Sequence, residues 1–309
     1  MYDGSHQPSE YPVCDYEGSE YQREFWDKGG REYEDLVERI ALRRLLPKTG
    51  GLFLEIGSGA GRLTPELDRF ERVVLLDYSL TQLQQAQERL GQSARFVFVA
   101  ADIYRLPFAP GLFDGAVMVR TIHHLVDVPL ALAGIRAILK PRGTLVLEYA
   151  NKQNAKAILR YWLRRQEWSP FTREQIEFTK LNFNMHPQTI RECLSKAGLL
   201  VRQQRTVSHF RLELLKRIVP TTLLAAADAA LQFTGNYCQI TPSVFLRADS
   251  DSRGRAAAPD QFFRCPHCNH NELTNRCDHL ACQECGRLWM IRDGIYDFRE
   301  PVARLEETT

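Results

Sequence analysis

The sequence lacks a dominant charge: 40 lysines and arginines stand against 38 aspartates and glutamates, a formal net of +2. No global field of one sign is available to draw the whole chain onto nucleic acid or a charged surface. The sequence also lacks any apolar run approaching the ~20 residues of a transmembrane helix, and no basic-then-apolar leader opens it. The expectation is a cytoplasmic chain without a membrane span. Scattered cysteine is scarce as well. Cys14, Cys193 and Cys238 stand alone, and the other five of the eight fall between Cys265 and Cys285. Such clustering excludes a disulfide framework and points to metal in a reducing compartment.

What is present is organised around residues 52–61, Leu52-Phe53-Leu54-Glu55-Ile56-Gly57-Ser58-Gly59-Ala60-Gly61. An apolar run bounded by glycines reads as a buried parallel strand. Glycines on alternate positions let the backbone turn tightly and bring a ligand close to the main chain. Residues 65–70 read as a helix whose free N–H groups point into the same gap. A second strand, Val73-Val74-Leu75-Leu76, ends in Asp77, an acid placed to accept from ribose hydroxyls. Glu55, just before the glycines, would repel a pyrophosphate but suits a ligand carrying an ammonium and a sulfonium.

On this pattern residues 21–248 resemble the class I S-adenosylmethionine (SAM)-dependent methyltransferases, of the type 11-like group. The resemblance implies an α/β fold: a seven-stranded Rossmann-like sheet with a helical insertion at residues 151–185. It implies that Glu55, Gly57, Ser58, Gly59 and Gly61 hold the methionyl part, and Asp77 with Tyr78 the ribose. Asp102 and Ile103, after the strand 95–100, take the adenine. Arg120 joins the cofactor set. A helix before the domain lids the pocket in many relatives, so Tyr21, Trp26 and Arg31 are expected to line it, Arg31 meeting the methionyl carboxylate.

Arg120-Thr121-Ile122-His123-His124 follows the fourth strand, where the methyl and its acceptor meet. This loop has no Asn/Asp-Pro-Pro-Tyr/Phe pattern, which counts against methylation of a base amino group. It has no cysteine either, as an enzyme adding to a pyrimidine carbon needs. His123 and His124 are the candidate catalytic bases. Within the insertion, Lys152, Lys156, Arg160 and Arg164 recur every four residues, one basic stripe if helical. RNA, a phosphorylated metabolite or a lipid head group would each suit it. The acceptor is left unidentified. A small, anionic molecule is favoured; an RNA or protein acceptor and a non-catalytic binding module are the alternatives.

Residues 1–20 are polar and read as a flexible end, and residues 249–260 as a linker. Residues 261–300 carry Cys265-Pro266-His267-Cys268 and Cys282-Gln283-Glu284-Cys285, two C-x2-C pairs separated by residues 269–281. Two facing thiolate pairs build a tetrahedral site, so structural zinc on Cys265, Cys268, Cys282 and Cys285 is expected. So small a segment would draw much of its folding energy from the metal. With Ile291-Arg292-Asp293-Gly294-Ile295 behind it, the segment resembles the zinc-ribbon activators of RNA and protein methyltransferases. Tyr296 stands where those proteins have proline.

Overall fold

The computed structural model describes residues 11–91 and 93–302. In chain order the elements are α1 (Glu32–Leu45), β1 (Gly50–Ile56), β2 (Phe70–Asp77), α2 (Leu80–Leu90), β3 (Phe96–Ala100), β4 (Phe113–Met118), α3 (Val128–Ile138), β5 (Leu139–Ala150) and α4 (Ala155–Trp162). There follow β6 (Ile176–Thr179), β7 (Asn182–Asn184), α5 (Pro187–Lys196), β8 (Leu199–Val207), α6 (Glu213–Ile218), α7 (Thr221–Leu231) and β9 (Ser243–Ser250). Then come β10 (Leu273–Asn275), β11 (His279–Cys282), β12 (Leu288–Arg292) and β13 (Ile295–Val302).

Seven strands form the expected sheet in the order β3-β2-β1-β4-β5-β9-β8. β1 to β5 run parallel, and β9 lies antiparallel between β5 and β8. Alternation along the strands divides two cores. Phe53, Val73 and Leu75 face α1 and α2, whereas Leu54, Val74 and Leu76 face α3 and α5, as a period of two dictates.

The sheet does not stop at seven. β13 pairs in parallel with β3, Ile295 opposite Phe98 and Asp297 opposite Ala100, and carries β10 to β12 with it, giving eleven strands. The ribbon is therefore an extension of the main sheet, not a module on a tether. Its Trp289 and Phe298 join the core that holds Phe108, and Phe263 stacks on Phe108 at 6.0 Å. Beside the metal expected to supply much of its folding energy, the ribbon thus has apolar packing against the main core. The segment read as a linker is tied down too. Asp249 and Ser250 complete β9, Ala257 N donates to Gly111 O at 2.9 Å, and Arg136 pairs with Asp251.

Other expectations differ locally. The helix expected at 65–70 is a single 3-10 turn, Thr64–Leu67, because Phe70 already opens β2. Of the expected four-residue basic stripe, only Lys156 and Arg160 lie on a helix. α4 spans only Ala155–Trp162, and Lys152 precedes it, fully buried, its Nζ donating to Thr172 O and Glu174 O at 2.9 and 2.7 Å. Residues 11–20, read within a flexible end, lie against the body: Glu17 accepts from Leu80 N at 2.9 Å, and Tyr11 Oη donates to Asp127 at 3.1 Å. Residues 1–10 lie outside the described residues.

Candidate active site

One cavity opens at the carboxyl ends of β1 to β4. Its floor is the turn after β1. Gly57 and Ser58 donate to Leu76 O at 2.8 and 3.0 Å, which bends the chain across the tip of β2. Gly57 has φ 66°, and a Cβ there would lie 2.0 Å from Thr121 Oγ1, so only glycine fits. Gly59 N donates to Asp77 Oδ2 at 2.8 Å, and Ser79 N to Oδ1 at 3.0 Å. A carboxylate has about four acceptor positions, so Asp77 holds the turn and keeps acceptor capacity toward the cavity.

Glu55, Gly57, Ser58, Gly59, Asp77, Tyr78, Ile103, Arg120 and His124 all line this cavity. Gly61, Asp102, Arg31 and His123 do not. Gly61 instead packs on α2, where a Cβ would meet Leu90 and Thr64 at 3.2 Å. Asp102 is 2% exposed and caps the following turn, its Oδ1 accepting from Tyr104 N at 2.9 Å. Among the described residues its Oδ2 has no hydrogen-bond partner, Arg105 Nε standing 3.6 Å off, so one buried acceptor is left beside Ile103. Arg31 is displaced from its expected role: its guanidinium lies over the Phe25 ring at 3.7 Å.

Sequence reasoning missed Arg62. It and Arg120 flank the Trp26 indole, at 3.6 and 4.7 Å from its ring centre. Buried Glu38 binds both, accepting from Arg62 Nη2 and Arg120 Nε at 2.9 Å each. The acid that makes this possible lies mid-helix in α1, with no local motif to mark it. The strap Pro12, Val13, Cys14 and Tyr16 closes the cavity from outside; only the density of aromatics near residue 21 hinted at a wall here.

Among the described residues neither Glu55 nor Asp77 makes an ion pair. Burial pushes Glu55 up to about 7, against a hydrogen bond from Thr64 Oγ1 at 2.6 Å and the pull of Arg62. Burial likewise raises Asp77, against the N–H groups of Ser79 and Gly59. A positively charged ligand would relieve both. These features fit SAM: a carboxylate for the ammonium, free acceptor positions for the ribose, and a buried acceptor near the apolar adenine wall.

His124 and His123 separate cleanly. Burial, then the neighbouring His124 and Arg120, keep His123 neutral, and among the described residues its Nδ1 has no partner. His124 Nδ1 meets Leu181 O at 2.7 Å. A carbonyl only accepts, so Nδ1 carries the proton and Nε2 presents a lone pair. Nε2 faces Tyr16 Oη at 3.4 Å, and burial lowers His124 below the usual histidine range. Of the two, only His124 is placed as a base at the cavity. Glu148, at the end of β5, is spent on structure, accepting from Arg120 N at 3.0 Å and Ser243 Oγ at 2.7 Å.

In the ribbon, Cys265, Cys268, Cys282 and Cys285 bring their sulfurs within 4.8 Å of one another. The Cys265–Cys285 and Cys268–Cys282 pairs stand at 3.7 and 3.4 Å. A tetrahedron with Zn–S near ~2.3 Å has edges of about 3.8 Å, so the cluster fits zinc. Burial pushes Cys265 up to about 12, so a cation entering here displaces its proton.

Residues 54–147 match the family model described as a methyltransferase domain. An uncharacterized chloroplastic methyltransferase of Arabidopsis thaliana is 33% identical over 140 residues, 42% of this chain and 39% of that protein. A ubiquinone/menaquinone biosynthesis C-methyltransferase of Saccharophagus degradans is 32% identical over 116 residues, 35% of this chain and 47% of that protein. The chain thus spans less than half the length of these relatives. The solved complex between the Haloferax volcanii Trm112 methyltransferase activator and a methyltransferase contains a similar chain, with TM-score 0.53 and 18% identity. The likeness covers 75% of this chain and 96% of that one. The fold is that of the class I SAM-dependent methyltransferases.

Proposed function

We propose that this chain, a class I methyltransferase by fold with a methyltransferase-family domain at residues 54–147, transfers a methyl group from SAM to a small-molecule acceptor. The observation that carries the reading is the cavity itself: a buried acid, a glycine turn and Asp77 converge at the carboxyl ends of β1 and β2. When bound, SAM supplies an electrophilic methyl on a sulfonium that is its own leaving group. The chain's task is then to hold, orient and exclude water. Glu55 would balance the donor's ammonium, Asp77 would take the ribose, and Arg120 with Arg62 would receive the methionyl carboxylate. The strap and the Trp26 wall close the chamber. His124 Nε2 would accept the acceptor's proton where the acceptor carries one.

The ribbon supports a structural reading over a substrate-binding one. β13 lies four strand positions from β4, about 19 Å at ~4.8 Å per strand, along the flank of β3. That is the adenine side, away from His124. Haloferax Trm112 is a separate activator chain; we read the ribbon here as an activator carried in the same polypeptide, held together by zinc. The deciding experiment has two parts. Calorimetry should give a binding heat with S-adenosylhomocysteine. Labelled SAM with fractionated extract should put label in the small-molecule fraction. No heat rejects the enzyme, and label confined to RNA or protein rejects the small acceptor.

A further inference from the structure

α4 is amphipathic, but it is turned outward. Only Ala157 is buried, while Leu159, Trp162 and Leu163 are 56%, 70% and 54% exposed. At about 100° per residue, these three share one side of the helix. Lys156 and Arg160 occupy the adjoining side, and Arg164 and Arg165 follow in the closing turn. Among the described residues none of these four cations has an ion pair, and no acid stands between Ala155 and Arg165. Other exposed apolar side chains lie beyond α4. Ala155 N donates to Ile240 O at 2.8 Å, which brings exposed Ile240 alongside. Leu214 and Ile218 of α6 are each 69% exposed.

These segments share one end of the molecule. α4 follows β5, α6 follows β8, and Ile240 precedes the antiparallel β9, so all lie where the cavity opens. The hairpin of β6 and β7 joins this surface to the site, since Leu181 O holds His124.

We propose that this face docks the enzyme on an anionic phospholipid bilayer, α4 lying in the interface with Trp162, Leu159 and Leu163 inserted. A short helix with a tryptophan and leucines on one side, and unpaired cations beside them, matches what a lipid boundary attracts. Lysines and arginines near such a surface each contribute about 1 kcal/mol. Neither partner alone explains the face. An acidic protein or RNA would use the cations but leave the leucines and tryptophan wet. A neutral apolar partner would leave four cations unpaired. Docked this way, the cavity mouth faces the membrane, and an acceptor dissolved in lipid reaches His124 without crossing water.

The test uses the full zinc-loaded chain and sedimentation with two vesicle types, phosphatidylcholine alone and an equal mixture with phosphatidylglycerol. The chain should pellet with the mixture at low salt and be released as salt rises. Trp162→Asp, at an exposed position that leaves the thermal midpoint in place, should lower partitioning about tenfold. Arg160→Gln and Arg164→Gln should each lower it about fivefold. Failure of the native chain to pellet with the mixture overturns the proposal, as does equal pelleting of Trp162→Asp. Light scattering that shows a dimer dissociating in Trp162→Asp would assign the face to a second copy. An RNA whose binding needs Arg160 but not Trp162 would assign it to nucleic acid. S-adenosylhomocysteine binding is read separately, so failure here leaves the proposed activity standing.

Discussion

Arg299, on the ribbon strand β13, donates to the carbonyl of Tyr78 at 3.4 Å, in the turn that carries Asp77. The same guanidinium bonds Asp297 at 3.0 Å and meets Glu17 at 3.3 Å. Glu17 in turn caps α2 through Leu80 N. One side chain thus ties the ribbon, the Asp77 turn and the strap together. Arg299→Ala should weaken S-adenosylhomocysteine binding about three- to tenfold by calorimetry, on the scale of one charge-assisted hydrogen bond. Zinc content should be unchanged, which separates loss of this link from collapse of the ribbon.

Metal removal should be felt far from the cysteines. β13 covers the edge of β3, and β10 to β12 hang from β13. Chelation, or Cys282→Ser, should lower the thermal midpoint by several degrees. Hydrogen exchange should quicken in β3 before it does in β5. Equal protection of β3 with and without metal would contradict this.

At Gly57, substitution meets both a wrong dihedral and a wrong neighbour. With φ 66° and Thr121 Oγ1 2.0 Å from the new Cβ, Gly57→Ala should cost roughly 2–5 kcal/mol in urea unfolding. It should also abolish donor binding.

Much of this was legible in the sequence for a physical reason. The glycine turn, Asp77 and the paired cysteines depend on short-range spacing, and spacing is what a sequence displays. Alternating strand and helix patterns announce a parallel α/β sheet, but not its order: residues 244–248 read as an antiparallel edge strand, whereas β9 lies inside, between β5 and β8. What was hidden depends on contacts distant along the chain. Glu38 meets Arg120 across the fold, and nothing near residue 38 announces it. Arg31 was expected at the cavity and Arg62 was not, and only packing turns Arg62 toward Trp26. The ribbon's merger with β3 was hidden likewise. Ile295 to Phe298 read as the tail of a small module, because an edge-strand pairing leaves no mark in the residues that make it.

Glu55 gives the site a pH signature. Its folded value of about 7, raised by burial, lies above the ~4.3 of an unfolded chain. The sign is that of a carboxylate disfavoured as the anion. The ligand-free protein therefore loses stability as pH rises from about 4.3 through 7. Ligand binding moves the other way. A cationic ligand needs the carboxylate, so below pH 7 binding must expel a proton. Affinity for SAM should fall toward tenfold per pH unit below 7 and level off above it. Calorimetry in buffers of different ionisation heat should count close to one proton released at pH 6. Glu55→Gln should remove that release and the slope together.

His124 offers the sharpest test of chemistry as opposed to binding. Its Nδ1–H is committed to Leu181 O at 2.7 Å, so Nε2 is the basic atom. Burial sets its titration below the usual ~6.5. The rate with an acceptor found by labelled transfer should therefore rise on an acid limb whose midpoint lies below that value, with a plateau through neutrality. His124→Asn should retain donor binding, because the donor's contacts are assigned to Glu55, Asp77 and the glycine turn. It should lower kcat by about 10²–10⁴ and flatten the acid limb. His123→Asn is the control. His123 does not line the cavity, although its ring centre lies 4.2 Å from that of His124, so the variant should keep the limb and change chiefly stability. If His124→Asn left kcat and its pH profile intact, the proton would leave by another route, and the acceptor would be one already deprotonated when it arrives.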